Sequence, residues 1–199
     1  MNDFEQLRAL LQANRTIRRF DNSRKITMDE LNRLVELTRY CASGRNLQPL
    51  CYRAVISQTE CDALFPALKW AGYYKDWDGP APEERPVAYL IQCLDLELTS
   101  NCLCDDGLQL EAITLGATSL GLGACIIKSF NKEAIVQCLN LSPQYMPVYV
   151  LALGYPAETA RVVPLDDTGD IKYFRNDKDE QCVPKRPLSS LLITESSQE

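Results

Sequence analysis

Histidine is absent from this chain of 199 residues. The absence excludes Ser-His-Asp and Cys-His nucleophilic sites, histidine general bases and most catalytic zinc sites, because each of these depends on an imidazole. If the protein is an enzyme, we therefore expect a cofactor to carry the chemistry, with the protein supplying binding and orientation.

Long apolar runs and a secretory leader are also lacking. No apolar run reaches the length of about 20 residues that a membrane-spanning helix needs. Residues Met1–Leu10 include Asp3 and Glu5 and have no apolar h-region, so they do not look like a signal peptide. The sequence predicts a cytoplasmic protein.

Cysteine, by contrast, is frequent, and its count of nine is odd. Most of the cysteines have apolar neighbours, where a free thiol packs as a small apolar side chain. Without a secretory signal we predict reduced core thiols rather than a disulfide framework. Cys102 and Cys104 have neither C-x-x-C spacing nor a histidine partner, so we expect no metal site there.

The net charge of −6 argues against a general nucleic-acid binder. Basic residues nevertheless cluster in two places, with five of them in residues 15–25 and two more at Lys185-Arg186. An anion-binding or nucleic-acid-binding module would explain the first cluster, but it would leave the motifs described below unexplained.

Periodicity and capping signals predict an α+β fold of one domain over residues 1–190, followed by a polar tail at 191–199. A capping box, Thr27 with Glu30, opens the second helix. Residues 160–187 are expected to be extended and loop-rich, and 194–199 to be disordered. The predicted helices are 3–14, 27–43, 62–70, 106–120 and 131–139, and the predicted strands are 53–57, 87–94, 124–127 and 148–153.

The helix over 106–120 is apolar on nearly all sides, which is typical of a buried helix. In a chain of this size it either lies at the centre of the domain or is covered by a partner subunit. The sequence leaves both arrangements open.

A basic segment, Arg15 to Phe20, follows the first helix. Arg15 and Arg18 can converge on one anion through charge-assisted hydrogen bonds. The apolar Ile17 and Phe20 indicate that the segment is anchored. A solvated basic face remains the alternative interpretation.

An amide-rich loop, Ser43 to Pro49, follows the second helix. The side chains of Asn46 and Gln48 offer both donors and acceptors, which suit the edge of a heterocycle with alternating NH and C=O groups. An ordinary helix-exit loop is the alternative.

Small residues fill positions 116–124, but they close a helix instead of opening one and do not form the G-x-G-x-x-G fingerprint. A glycine C-cap accounts for Gly121 or Gly123 but not for both. The small residues therefore let the backbone approach something flat or another helix. A fourth motif, Lys185-Arg186 between two prolines, is either a rigid basic corner or a surface turn.

Taken in order, these segments resemble the FMN-dependent nitroreductase family, and residues 68–95 resemble its short-chain subgroup. Arg15–Phe20 matches the family's R-S-I-R-x-F, with Thr16 in the serine place, and Ser43–Pro49 matches S-x-x-N-x-Q-P-W. Leu120–Gly123 matches L-G-L-G, and Leu153–Pro156 matches L-G-Y-P. The basic Lys185-Arg186 matches the C-terminal segment of the family.

The resemblance implies a mostly antiparallel central sheet flanked by helices, a homodimer with FMN at the subunit interface, and a C-terminal arm that reaches the partner. It implies hydride transfer from NADH or NADPH through flavin N5 to a nitro compound or quinone, with ping-pong kinetics and no side-chain catalyst. The implied cofactor-binding residues are Arg15, Thr16, Arg18, Lys185 and Arg186 for the phosphate, Ser43, Asn46 and Gln48 for the ring edge and its loop, and the backbone of Ile127, Lys128 and Ser129 beside the ring.

Tyr74 and Trp77, in the loop 73–85, are candidate walls of the substrate pocket. Three departures from the family pattern are Asn14 in a usually basic place, Leu50 in a usually aromatic one, and Lys128 beside N5, where a cation would raise the flavin potential. A non-catalytic FMN-binding or storage protein and a specialised flavin dehydrogenase of the same family remain alternatives.

Overall fold

An antiparallel five-stranded sheet forms the centre of the computed structural model, which describes residues 2–193. Strand β5 pairs with β3 along one edge and with β4 and β1, placed end to end, along the other, and β2 lies outside β3. The predicted antiparallel α+β architecture is confirmed. The strands are β1 Phe20–Asp21, β2 Leu50–Val55, β3 Ala88–Asp95, β4 Gly123–Ile127 and β5 Tyr145–Pro156.

Helices cover both faces of this sheet. Alternate residues of β3 face opposite sides, because successive side chains of a strand point in opposite directions. Leu90 packs in the cluster that includes Leu34 and Ile113, while Ile91 packs in the cluster that includes Leu64 and Ile135. The helices are α1 Asp3–Ala13, α2 Met28–Glu36, α3 Gln58–Leu64, α4 Asp105–Ser119 and α5 Lys132–Cys138.

Local signals placed most of these elements well. The capping box is present, since the Glu30 amide donates to Thr27 Oγ1 at 3.2 Å and the Thr27 amide donates to Glu30 Oε2 at 2.7 Å. These hydrogen bonds from Thr27 lower the pKa of Glu30. Helix α4 and the buried, central strand β3 lie within one residue of their predicted ranges.

Four predicted ranges were wrong. The strand expected at 148–153 extends over Tyr145–Pro156. The helix expected over 62–70 begins at Gln58 and ends at Leu64, because Pro66 interrupts it and residues 65–67 form a 3₁₀ turn. The strand expected at 53–57 is Leu50–Val55. The second helix, expected to reach Ser43-Gly44, ends at Glu36 and continues only as a 3₁₀ turn over 37–40.

A second, three-stranded sheet occupies the region that was expected to be loop-rich. Strand β8 pairs in parallel with β6 and antiparallel with β7. The predicted tail at 194–199 lies outside the described residues. The strands are β6 Ala160–Pro164, β7 Phe174–Arg175 and β8 Gln181–Lys185.

All nine cysteines are free thiols, and Cys61, Cys93, Cys125 and Cys182 are buried, whereas Cys104 is exposed. The predicted core position is therefore confirmed for these four. Among residues 2–193, no helix has the length and apolar character needed to cross a membrane.

Candidate functional site

The basic segment is anchored along the edge of the central sheet. The Ile17 amide donates to the carbonyl of Ala124 at 2.9 Å, and Phe20 pairs with Pro156 in β5. Ile17 and Phe20 are buried. The segment is therefore anchored, as its apolar residues indicated, and it is not a floating tail.

Two glycines make this anchoring possible. A Cβ atom on Gly123 would lie 2.8 Å from Cγ1 of Ile17, and one on Gly154 would lie 2.7 Å from Cδ1 of Phe20. Gly121 instead has a φ of +74°, the left-handed conformation of a helix end. The L-G-L-G and L-G-Y-P glycines thus have separate physical roles: one ends a helix and the others admit the basic segment.

A cavity of about 220 Å³ opens where this segment meets β4 and β8. Three of the predicted phosphate-binding residues, Arg15, Thr16 and Lys185, line it. The guanidinium of Arg15 donates from Nη2 to the carbonyl of Leu11 at 3.0 Å, and its buried Nε has no hydrogen-bond partner. The remaining lining residues are Asn14, Glu111, Thr114, Ala124, Ile126 and Val183.

This donor set fits the phosphate end of FMN. Two cations and a hydroxyl face one small space, and an orphaned buried donor such as Arg15 Nε calls for an acceptor. Glu111 is the one acid in the lining, and Asn14 Nδ2 lies 3.3 Å from its Oε1. The volume suits a phosphate and its linker and is too small for the whole cofactor.

Asn14, which departs from the family pattern, joins two helices. Its Nδ2 donates to Thr114 Oγ1 at 2.9 Å, and its Oδ1 accepts from Thr118 at 3.4 Å. The residue therefore links the end of α1 to α4.

Arg18 and Arg186 do not line the cavity. The Arg18 guanidinium stacks on the ring of Tyr173, with Cζ 4.6 Å from the centroid. Arg186 is exposed one residue beyond β8. The structure thus brings together three of the five predicted phosphate ligands within one chain.

The amide-rich loop is held by a buried carboxylate that sequence reasoning missed as a site residue. Ser43 Oγ donates to Asp105 Oδ2 at 2.6 Å, and the Gly44 amide donates to Asp105 Oδ1 at 3.0 Å. Asp105 is only 1% exposed. Its one sequence signal is a place at the start of α4, where an acid favours the helix dipole.

Beyond this anchor the loop takes an unusual course. Arg45, Asn46 and Gln48 have φ values of 51°, 55° and 50°, in the left-handed region that non-glycine residues seldom occupy. Asn46 and Gln48 are exposed. The loop is held in a defined shape, yet none of its residues lines the Arg15 cavity.

The three residues predicted to contact the ring through their backbone lie at the end of β4 and directly after it. The side chain of Ile127 is buried and faces the core, whereas Ile126 is exposed and lines the cavity. The Lys128 Nζ donates to the Val148 carbonyl at 3.3 Å and lies 3.9 Å from the Tyr149 ring centroid. Ile126, missed from the sequence, follows from strand alternation once Ile127 is placed inward.

Ser129 follows these residues and is exposed. Its carbonyl accepts a hydrogen bond from the Lys69 amide at 3.0 Å. One backbone acceptor beside the end of β4 is therefore already engaged within the chain.

Tyr74 and Trp77 line a different cavity, of about 520 Å³, together with Arg19 and Arg175. Tyr74 donates to Gln181 Oε1 at 2.8 Å. The two cavities share no lining residue. Both residues thus wall a pocket, as expected of the loop 73–85, but it is separate from the Arg15 cavity.

Comparisons with known proteins agree with this fold. A sequence model of the Nitroreductase family matches residues 104–155, which include both glycine motifs. A search of the curated proteins finds no match. The family resemblance is therefore confirmed by a sequence model in the central part of the chain, while the basic and amide-rich segments lie outside the match.

Solved nitroreductase structures share the fold. A protein from Desulfovibrio desulfuricans, assigned as a nitroreductase and solved in complex with FMN, has a TM-score of 0.69 and 21% identity, covering 98% of each chain. A nitroreductase family protein from Clostridium difficile has a TM-score of 0.65 and 19% identity, covering 98% of this chain and 99% of its own.

A third structure, from Bacteroides thetaiotaomicron, is assigned as an NADH dehydrogenase or NAD(P)H nitroreductase. It has a TM-score of 0.66 and 19% identity, covering 78% of this chain and 89% of its own. The chain therefore has the nitroreductase fold.

Proposed function

We propose that this protein is an FMN-dependent oxidoreductase that takes hydride equivalents from NADH or NADPH and passes them to an electron-poor acceptor such as a nitro compound or a quinone. The observation that carries the proposal is the cavity of Arg15, Thr16 and Lys185, with an unpaired buried guanidinium nitrogen, on a nitroreductase fold. The FMN complex of the Desulfovibrio relative supports the choice of cofactor.

FMN, when bound, supplies a ring that accepts and releases hydride, so the chain needs only to bind, orient and tune it. Arg15 and Lys185 neutralise the phosphate, and the Thr16 hydroxyl donates to it. Asn46 and Gln48 offer amide groups for the ring edge. This division of labour agrees with the absence of histidine from the sequence.

Lys128 is the remaining cation of the proposed ring environment. Its Nζ is already held by the Val148 carbonyl, which fixes the charge near the end of β4. A fixed cation there stabilises an anionic reduced ring, and we expect it to raise the redox potential. Titration of Lys128→Ala against redox dyes tests this, and an unchanged potential would contradict it.

We also propose a homodimer, with the amide-rich loop meeting the cofactor from the partner subunit. Helix α1 has no buried residue although it carries Phe4 and Leu7, which are 69% and 49% exposed. A hollow of about 350 Å³ beside it is lined by apolar groups of α4, including Leu115, and by Tyr40. Exposed apolar surface of this extent is typical of an interaction site.

The apolar residues of α4 support the same arrangement. Leu108 is 45% exposed and shares one face of the helix with Ala112 and Leu115. Of the two arrangements that the sequence left open, the central one accounts for the buried side of α4. Cover by a partner subunit accounts for this outer side. We take residues 1–190 as the cofactor-binding unit.

The test is the visible spectrum of the freshly purified protein, after incubation with FMN if it is colourless, followed by NADH and then NADPH under argon. Flavin bands that either donor bleaches, and that nitro compounds or quinones restore, are expected. A donor and an acceptor that use the same site in turn should give parallel double-reciprocal plots.

The other outcomes separate the alternatives. Bound FMN that neither donor reduces would favour a non-catalytic FMN-binding or storage protein. Reduction that nitro compounds and quinones do not reverse would favour a specialised flavin dehydrogenase. A protein that neither contains nor takes up FMN would overturn the flavin assignment.

A further inference from the structure

Glu158, in the turn after β5, is a buried carboxylate that none of the predicted roles uses. Its side chain is 2% exposed. One oxygen accepts hydrogen bonds from the backbone amides of Arg18 and Arg19, the second of these at 3.1 Å. The other oxygen pairs with the guanidinium of Arg175.

These partners belong to the two parts of the chain that form the Arg15 cavity. Arg18 and Arg19 continue the basic segment that carries Arg15 and Thr16. Arg175 lies in β7, opposite Gln181 at the start of β8. Strand β8 ends at Lys185, which lines the cavity.

Further contacts also link the basic segment to the C-terminal sheet. Arg19 pairs with Asp179 at 2.7 Å, and the Arg175 Nη1 donates to the Asp179 carbonyl at 2.8 Å. The amide of Ala157 donates to the carbonyl of Arg19 at 3.0 Å. Asp179 is 64% exposed, however, so Glu158 is the water-excluded member of this group, where loss of one partner has the greater effect.

We propose that Glu158 is a positioning residue that joins the basic segment to the C-terminal sheet and thereby sets Lys185 against Arg15 and Thr16 in the phosphate cavity. The identity of the ligand in this inference rests on the proposed function. The link between the basic segment and the C-terminal sheet rests on the geometry alone. Glu158 acts through the backbone and through Arg175, and it does not touch the cavity itself.

Glu158→Gln separates the two halves of the joint. The carboxamide oxygen still accepts from the two backbone amides, but its NH₂ group faces the Arg175 guanidinium and cannot accept from it. The matched control is Glu180→Gln in the same region, because Glu180 pairs with Arg161 at 3.6 Å and Asn176 at 2.7 Å and has no contact with residues 15–19.

The decisive measurement compares the dissociation constants of FMN and riboflavin, because riboflavin lacks the phosphate. In Glu158→Gln the preference for FMN should fall about fivefold, with riboflavin binding unchanged within about twofold. Glu180→Gln should keep the wild-type preference. A general loss of structure would weaken both ligands together and would overturn the proposal.

A double mutant tests the route through Lys185. If Glu158 acts by placing Lys185, then Glu158→Gln added to Lys185→Met should lower the FMN preference by less than about twofold more. Independent, multiplying effects would overturn the proposal. If Glu158→Gln does not fold, Arg175→Gln replaces it, since that change leaves Glu158 on the Arg18 and Arg19 amides.

Hydrogen exchange of the apoprotein makes the test independent of flavin. The amides of residues 181–183 and 185 should exchange about fivefold faster in Glu158→Gln than in Glu180→Gln. Exchange rates that do not differ between the two variants would overturn the proposal that Glu158 joins the two segments, even if FMN binds. Failure of the wild-type protein to bind any flavin would overturn the proposed function, while the exchange rates would still decide the role of Glu158.

Discussion

The phosphate end and the ring end of the proposed cofactor site are built differently. At the phosphate end, Arg15, Thr16 and Lys185 line one cavity although 170 positions separate Arg15 from Lys185 along the chain. At the ring end, Asn46 and Gln48 stand exposed on a loop that shares no lining residue with that cavity.

The two ends also differ in what holds them. The phosphate end rests on the sheet edge, through Ile17 against Gly123, and on the buried carboxylate of Glu158. The ring end is held by Asp105, which accepts hydrogen bonds from Ser43 and Gly44. Three of the residues that follow have a left-handed backbone conformation. Residues of a single chain thus line the proposed phosphate end, whereas the loop of the proposed ring end stands apart from them.

We infer from this difference that the proposed dimer and the proposed cofactor site depend on each other. A loop that keeps three non-glycine residues at positive φ bears a conformational cost of about 1 kcal/mol or more for each. A protein retains such a cost when its function depends on the shape of the loop. We propose that the function is contact with the FMN of the partner subunit.

The largest expected effect comes from separating the subunits. Leu108→Arg places a charge on the exposed outer side of α4, where it leaves the folded monomer intact. In a dimer it buries an unpaired cation, which costs about 3 kcal/mol or more and weakens the dimer at least about 100-fold. Sedimentation velocity should show a monomer that retains little FMN.

The matched control for this change is Leu98→Arg, at a residue 55% exposed in the turn after β3. It should leave the dimer and the bound FMN unchanged. A Leu108→Arg monomer that binds FMN as tightly as the wild type would contradict the proposed difference between the two ends. It would show that the ring end needs no partner subunit.

The next effect separates two neighbouring cations. Lys185→Met removes a charge-assisted contact to phosphate, worth about 1.5–3 kcal/mol, so FMN should bind about 10- to 100-fold more weakly and riboflavin equally well. Arg186→Met should change FMN binding little, because Arg186 is exposed outside the cavity. Fluorescence titration of the apoprotein measures both, and equal losses would refute the assignment of Lys185.

A smaller effect is expected at the ring end. Asn46→Gly removes the amide but suits the φ of 55°, so the free energy of unfolding should change by no more than about 0.5 kcal/mol. Loss of one hydrogen bond to the ring, about 1 kcal/mol, should weaken FMN and riboflavin alike by about fivefold. Urea titration and fluorescence measure the two quantities.

Arg45→Gly is the control for that change, since Arg45 has nearly the same backbone conformation, with a φ of 51°. It should leave flavin binding unaltered. If both variants weakened flavin equally, the backbone of the loop, and not the Asn46 amide, would be the feature that matters.

The sequence predicted the sheet and its helices because their signals are local. The apolar run of β3 and the periodicity of α4 depend on neighbours within one element, and their predicted ranges were right within a residue. The prediction of a helix at 62–70 was wrong although the sequence contains the signal against it. That signal is Pro66, whose ring is incompatible with a helix interior. The small C-terminal sheet was missed because β7 has only two residues and β6 pairs with β8 in parallel.

Sequence reasoning selected the cationic residues of the candidate site and missed its acidic residues. Arg15, Thr16 and Lys185 stand in motifs whose chemistry can be read from residue type. Asp105, Glu111 and Glu158 act through partners that are distant in sequence, or, for Glu111, through a place in the cavity wall. A carboxylate in a loop or at a helix start has many ordinary uses, so its buried role becomes visible only in three dimensions.

The smallest expected effect concerns two cysteine thiols, one near each end of the proposed cofactor site. Cys125 lies in β4 between Ala124 and Ile126, and burial raises its pKa to about 11 from the ordinary 9.0. The unfolded thiol then loses its proton at lower pH than the folded one, so stability should fall as pH rises from 9 towards 11. Cys125→Ala should flatten this slope, measured by urea unfolding at several pH values.

Cys104 is the control at the ring end, because it is exposed immediately before Asp105. N-ethylmaleimide should modify Cys104 in the native protein long before it reaches Cys125. An unchanged slope in Cys125→Ala would show that this thiol ionises as readily in the folded protein as in the unfolded chain. The core side of β4 would then be as open to water as the exposed Cys104, and this contrast between the two ends would not hold.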